Sequence, residues 1–350
     1  MHDEKGVYEL LVARVPGVFQ AGQSYQACNA CGNDEANIAL SVPSDPLDYS
    51  SIPRSQAPYT QCAACATLTI AQVPDDLSRY YDGSYYSHRG NVGQGLRSRL
   101  HAMRDAGLVF GKFGPSALLA HVWPYIRLRQ LRPLIEGRMG PPLTRSSAIL
   151  DVGCGSGDWL RRLAAIGFRN LTGCDPYMDA DVTEAGLLLL KSDIRSVEGL
   201  FDLIVISHTL EHVEDPQADM AELSARLAPG GILMVRIPIL NRFAWLKYGG
   251  YWVQLDAPRH MTLFSRPGFE KLATNVGLQV LDTTFDASEF MVLGSNAREQ
   301  GLYPHGPRDR WNDAIRAMGF DEKKSARKIA ARTNADETSD QATFYLRRAG

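Results

Sequence analysis

The run Ile149-Leu150-Asp151-Val152 leads without a break into Gly153-Cys154-Gly155-Ser156-Gly157-Asp158-Trp159-Leu160. No other part of the chain constrains the fold as much. The first four residues are apolar and β-prone, and a helix-like apolar pattern starts at Leu160. Three glycines at alternate positions let the backbone turn off the strand and approach a ligand closely, because no Cβ intervenes. The helix that follows offers free N–H groups and its positive dipole end to a polar or anionic group. A nucleotide-like ligand is therefore expected at the carboxyl end of a central strand.

Spacing narrows that ligand. The dinucleotide fingerprint is G-x-G-x-x-G; here Asp158 occupies its sixth position and the third glycine comes one place early, at Gly157. This suits a ligand with no pyrophosphate to cradle. The next predicted strand, Asn170-Leu171-Thr172-Gly173-Cys174-Asp175, ends on an acid 20 residues after Gly155. A carboxylate there can accept hydrogen bonds from both hydroxyls of a ribose.

Further segments follow in a recognisable order. Ser192-Asp193-Ile194 comes first, then a predicted fourth strand, Phe201-Asp202-Leu203-Ile204-Val205-Ile206. Ser207-His208-Thr209-Leu210-Glu211-His212 follows, then a helix expected to end in Leu227-Ala228-Pro229-Gly230-Gly231, and a fifth strand over 232–237. This series resembles the class I S-adenosylmethionine-dependent methyltransferases over roughly residues 145–285. The resemblance implies an α/β fold: a seven-stranded Rossmann-like sheet with helices on both faces. It also implies S-adenosylmethionine as cofactor, with Asp151, Gly153, Gly155, Gly157, Asp175, Pro176, Asp193, Ile194 and Ser207 as its binding residues. Plainer readings stand beside these. Asp151 can simply fix the turn, Cys154 and Cys174 read as small core residues before nucleophiles, and Glu211 and His212 read as helix-start or pocket-wall residues before catalysts.

Cys28-Asn29-Ala30-Cys31 and Cys62-Ala63-Ala64-Cys65 are two CxxC pairs separated by 30 residues. Each pair places two thiolates on one tight knuckle, and two knuckles complete a tetrahedral S₄ site for Zn²⁺. Gly32 stands where a knuckle needs positive φ. The long gap is accommodated by expected loops at 42–46 and 52–54. A closed four-cysteine site leaves no open coordination position, so this zinc is expected to hold structure. Iron–sulfur ligation and a redox dithiol fit the spacing and context less well. Between residues 24 and 75 the only basic residue is Arg54, which argues against a nucleic-acid reader there.

The 350 residues carry a formal net charge of −2, with 45% hydrophobic and 22% charged residues, the profile of a soluble globular protein and not of a dedicated nucleic-acid binder. Residues 1–6 lack the basic-then-apolar order of a signal peptide. No apolar run reaches the roughly 20 residues of a spanning helix. The expectation is a cytoplasmic protein with reduced cysteines. The expected organisation is an irregular lead-in (1–23), a zinc-ribbon module (24–75) and a tyrosine-rich joint and helical linker (76–144). A cofactor domain follows (145–350), carrying a polar insertion at about 294–338. A helix is expected over 267–276, a sixth strand over 278–283 and an antiparallel seventh over 342–347.

Acceptor pockets in the resembled fold lie above the carboxyl ends of the fourth and fifth strands. Loops carrying His208, Glu211, His212, Trp252, Arg259 and His260 are expected to converge there. His260 is the leading candidate for general base, because an imidazole titrates near working pH; His208, Glu211, His212 and Tyr86 are the other catalytic candidates. A zinc module followed by a tyrosine-rich joint (Tyr85, Tyr86, His88) also resembles the zinc-bearing sugar C-methyltransferases, though their large C-terminal domain has no counterpart here. The expected function is methyl transfer to a small-molecule acceptor, such as a nucleotide-linked sugar or glycan. The alternatives are a zinc-ribbon RNA methyltransferase and a non-catalytic cofactor-binding partner protein.

Overall fold

A computed structural model of the chain describes residues 15–45, 56–76, 80, 96–110, 126–303 and 308–350. Tyr85, Tyr86 and His88 lie outside the described residues.

Two sheets organise the fold. In the first, β1 (Phe19–Ser24), β2 (Asn37–Pro43), β3 (Gln56–Gln61) and β4 (Leu68–Ile70) form an antiparallel meander. The second is built from β5 (Ile149–Val152), β6 (Leu171–Cys174), β7 (Val182–Glu184), β8 (Leu187–Leu190), β9 (Phe201–Ser207) and β10 (Leu227–Pro238), completed by β12 (Leu278–Phe285) and β13 (Gln341–Arg348). Their order is β12-β13-β10-β9-β5-β6-β8-β7. The remaining strand, β11 (Thr262–Leu263), joins the first sheet by pairing with β4.

The central strands β8, β6, β5, β9 and β10 run parallel, and β13 pairs antiparallel with both β10 and β12. The antiparallel closing strand expected from sequence is therefore present. Among the described residues the sheet has eight strands where seven are expected, because the three-residue β7 adds a hairpin to the edge strand β8.

Period-two alternation sorts the apolar residues onto two faces. Leu150, Ile204, Ile206, Leu233 and Val235 enter one core, with Met220 and Leu223 of a helix at Pro216–Ala225 and with Phe269 and Leu272. Ile149, Leu203, Val205, Ile232 and Met234 enter the other, with Trp159, Leu160 and Leu163. Helices thus cover both faces, as the parallel order requires.

Several boundaries differ from the sequence expectation. The helix before β10 ends at Ala225, and residues 227–231 already belong to that strand, with a register shift between Leu227 and Ile232. The spacer between the CxxC pairs holds β2 and β3 as a hairpin, not loop alone. The expected insertion is helical, with helices at Phe290–Glu299, Arg308–Ala317 and Phe320–Ala335.

The N-terminal sheet packs against residues far along the chain. Besides the β4–β11 pairing, Tyr59 Oη donates to the His260 carbonyl at 2.6 Å, and the Ile70 N–H donates to the Met261 carbonyl at 2.8 Å. Tyr59, Leu68 and Ile70 share a core with Trp245, Trp252 and Leu263. The aromatic segment after β10, a helix at Arg242–Tyr248 followed by short 3₁₀ turns, is the other half of this core.

Trp252 Nε1–H donates to Asp340 Oδ2 at 2.8 Å. Burial raises the Asp340 carboxyl pKa from 3.8 to about 7, against the lowering effect of that hydrogen bond. A carboxyl raised on folding stabilises the protein at low pH, and its contribution is lost as pH climbs from about 4 through 7. Asp340→Asn keeps the acceptor and removes the titration. The variant should therefore gain on the parent between pH 5 and pH 8, by at most roughly 3 kcal/mol. Urea midpoints at both pH values read this; a difference that does not change with pH contradicts it.

Candidate functional site

The glycine turn is built as its sequence suggests. Gly153, Gly155 and Gly157 have φ of 72°, 53° and 76°, and the helix at Asp158–Ala165 starts directly after Gly157. At Gly153 a second constraint applies, because a Cβ there would collide with the Thr209 side chain. The missing side chain brings the turn after β5 against the loop after β9. The cofactor crevice and the histidine-bearing loop are therefore direct neighbours.

Asp175 closes this crevice from the end of β6. Its Oδ2 accepts from the Gly155 N–H and its Oδ1 from the Tyr177 N–H, each at 2.9 Å. The carboxylate thus faces the glycine turn, and each oxygen retains a second lone pair. Asp151 is 1% exposed at the heart of the sheet. Pro176 follows Asp175 at the rim, Ile194 is buried, and the Ser207 hydroxyl is buried without a hydrogen-bond partner at the end of β9. Asp193 also caps a short 3₁₀ turn, its Oδ1 accepting from the Arg195 and Ser196 N–H groups, a role that the sequence reading missed. Cys154 and Cys174 are buried, and burial raises both thiol pKa values, that of Cys174 to about 12. They are protonated core residues.

His208, Glu211, His212 and His260 converge, as expected. His208 Nδ1 lies 3.2 Å from Glu211 Oε1. Its Nε2 faces Arg236 Nη1 at 2.5 Å and Gln341 Nε2 at 2.8 Å. Two donors on one ring nitrogen make Nε2 the acceptor, so Nδ1–H donates to Glu211. Arg236 in turn pairs with Asp286 at 2.8 Å, which also accepts from Gln130. Sequence reasoning missed Arg236, Gln341, Asp286 and Gln130. The one visible signal was an arginine inside the apolar run 232–240.

Glu211 is fully buried. Burial opposes its charge, but the His208 hydrogen bond and the neighbouring imidazoles outweigh it and hold the pKa at about 2. His212 and His260 meet edge to face, ring centroids 4.6 Å apart. Burial lowers both their pKa values, that of His212 to about 4.

The loop carrying Arg259 joins the cluster through its carbonyl, which His212 Nδ1 meets at 3.0 Å, while the Arg259 side chain is fully buried. Its guanidinium pairs with Asp45 and Asp256, and Arg298 reaches Asp45 at 2.8 Å. Trp252, equally buried and bonded to Asp340, is likewise a core residue.

The four cysteines come together. Cys28 Sγ lies 3.7 Å from Cys65 Sγ, Cys31 Sγ lies 3.5 Å from Cys62 Sγ, and all four sulfurs are within 4.8 Å of one another. Zn–S bonds of about 2.3 Å give a tetrahedral S···S edge of about 3.8 Å, so the residues fit a zinc ion. Both knuckles have one geometry. Gly32 (φ 79°) donates its N–H to the Cys28 carbonyl, and Ala66 (φ 64°) does the same to Cys62. The left-handed alanine was not legible from sequence. Gly268, in the first turn of the helix at Arg266–Asn275, packs so close that an added Cβ would lie 3.1 Å from Cys65 Sγ. That helix N-terminus favours thiolate charge.

The strand order, glycine turn and facing carboxylate together define a nucleotide-cofactor α/β fold of the class I methyltransferase type. A family model described as "Methyltransferase domain" matches residues 123–283. A ubiquinone biosynthesis O-methyltransferase of Methylobacterium sp. is 31% identical over 208 residues, covering 52% of this chain and 81% of that protein. One from Xanthomonas axonopodis pv. citri is 31% identical over 221 residues, covering 54% and 88%. Among solved structures, an S-adenosylmethionine-dependent methyltransferase from Mesorhizobium loti matches at 15% identity, covering 64% of this chain and 99% of that one, with a TM-score of 0.40. The chain belongs to the S-adenosylmethionine-dependent methyltransferases. No helix among the described residues is long and apolar enough to cross a membrane.

Proposed function

We propose that the protein transfers the methyl group of S-adenosylmethionine to a hydroxyl oxygen of a small acceptor bound beside the loop after β9. The observation that carries this reading is the contact between Gly153 and Thr209, which sets the cofactor turn against the cluster of His208, Glu211, His212 and His260. Oxygen as the atom methylated is supported by the relatives named O-methyltransferases. A nucleotide-linked sugar or glycan and a phenol both offer such an oxygen.

The cofactor is held by Asp175 on its ribose hydroxyls, by the turn Gly153–Gly157 near its charged tail, and by Asp193 and Ile194 at the adenine. Asp151, Pro176 and Ser207 complete the crevice. The methyl sits on a sulfonium, a good leaving group, so the protein's work is in-line positioning and removal of the acceptor's proton. The hydroxyl oxygen bonds to the methyl carbon as the carbon–sulfur bond breaks, sulfur keeps the electron pair, and the hydroxyl proton passes to the imidazole cluster and on to solvent. His260 and His212 supply that cluster. His208, with its acceptor nitrogen engaged by Arg236 and Gln341, positions Glu211. Zinc in the four-cysteine cluster stabilises the N-terminal sheet and takes no part in the transfer.

Asp175→Ala removes two charge-assisted hydrogen bonds from the ribose, each worth roughly 1.5–3 kcal/mol. Affinity for S-adenosylmethionine should fall by at least about 100-fold in calorimetry. A labelled-methyl assay against phenols and nucleotide sugars then identifies the acceptor. Unchanged cofactor affinity in the variant, or absence of binding by the parent, would defeat the proposal.

A further inference from the structure

Three of the four side chains gathered after β9 have the make-up of a metal-ligand set. We propose that Glu211, His212 and His260 bind a divalent transition-metal ion, separate from the four-cysteine cluster, and that the acceptor oxygen completes its coordination.

One potential ligand atom from each of the three residues lies within 4.8 Å of the other two, and His260 Nε2 is 4.0 Å from Glu211 Oε1. Bonds of about 2.1 Å put tetrahedral ligand atoms about 3.4 Å apart. Side-chain adjustments on the order of 1 Å therefore close the set around an ion.

The orientation of the rings supports the same reading. His260 Nδ1 bonds to the Gln254 carbonyl at 2.7 Å, and His212 Nδ1 to the Arg259 carbonyl at 3.0 Å. Each carbonyl accepts the Nδ1 proton, which leaves the ligand lone pair on Nε2, the arrangement that orients metal-binding imidazoles. The carboxylate is prepared in the same way. Glu211 Oε1 accepts from His208, whereas Oε2 is buried with no hydrogen-bond partner. Leaving a carboxylate oxygen dry and unpaired is costly, and a bound cation offsets that cost. Asp256 Oδ2 lies 3.7 Å from His260 Nε2, but the Arg259 guanidinium engages that carboxylate.

Two imidazoles and one carboxylate suit zinc, iron or cobalt better than magnesium or calcium. Three protein ligands leave positions open, in contrast to the closed S₄ cluster. A hydroxyl bound at an open position loses its proton more readily, by the same polarisation that acidifies metal-bound water. With the ion bound, the Nε2 lone pairs of His212 and His260 are taken, so this proton passes directly to solvent and not to the imidazoles.

The acceptor half of this proposal rests on the methyl-transfer reading; the metal half does not, so the test reads the metal directly. Metal-stripped full-length protein is titrated anaerobically with Co²⁺. Thiolate-to-cobalt absorption should saturate at one equivalent, after which a second equivalent should bind with weak d–d bands and no added thiolate absorption. In Glu211→Gln the second equivalent should bind at least about 100-fold more weakly, while the thiolate signal is kept. Wild-type protein that binds only the thiolate-ligated equivalent overturns the proposal, and so does a folded Glu211→Gln variant with unchanged affinity for the second. If that variant fails to fold, the wild-type titration decides alone. Calorimetry with S-adenosylmethionine separates the two readings. Cofactor binding without a second cobalt sinks the metal site only, and a second cobalt without cofactor binding sinks methyl transfer only.

Discussion

Arg259→Met should destabilise the protein by about 3–5 kcal/mol, the usual cost of breaking a buried ion pair from one side. Arg259 is fully buried and bridges Asp45 and Asp256, with its Nε 3.0 Å from Asp256 Oδ2. Methionine keeps much of the apolar stem but leaves both carboxylates short of their cation. Arg298 still serves Asp45, whereas Asp256 loses the guanidinium that engages both of its oxygens. The double variant Arg259→Met, Asp256→Asn should recover part of the loss, because the stranded charge is then removed. Denaturant midpoints measure both. A loss below about 1 kcal/mol for the single variant would show that the pair is screened, as surface pairs are.

Removal of metal from the four-cysteine cluster should have the other large effect. Zinc binding energy in such clusters is folding energy, about 10–16 kcal/mol in isolated zinc fingers. A smaller but still dominant share is expected here, because β4 is also held by β11 and the Tyr59–Trp252 core. Chelation, or Cys62→Ser, should therefore melt strands β1 to β4 before the larger sheet. His260 should suffer with it, since Tyr59 holds its carbonyl and Ile70 holds that of Met261. The cofactor crevice between β5 and β6 draws on neither contact. Turnover should thus fall at least about tenfold while affinity for S-adenosylmethionine changes less than about twofold. Equal loss of both would show that the two sheets unfold as one unit.

These couplings explain how much of the site the sequence revealed. Positions 149–158 and the acid at 175 were legible because each depends on its neighbours in the chain: a strand, a turn needing left-handed backbone, a helix start, and a carboxylate one strand further on. The CxxC knuckles were legible for the same reason, since four residues close each loop. His208, Glu211, His212 and His260 could be named, but not their roles. The loops carrying Arg259 and Trp252 are expected near the acceptor, yet both side chains turn inward to buried partners, because polar or aromatic character in a loop looks alike whether it faces a ligand or the core.

The sequence by itself determined the local pieces: glycine turn, cysteine knuckles, alternating strands and the order that identifies a methyltransferase. Only the tertiary structure decided that β11 extends the N-terminal sheet, that Asp45, Arg259 and Arg298 form one buried charge network, and that His260 joins His208, Glu211 and His212. The physical reason is range. Backbone conformation and side-chain alternation are set within a few residues, whereas a buried charge or ligand set is defined by partners up to hundreds of positions apart, brought together only when both sheets have packed.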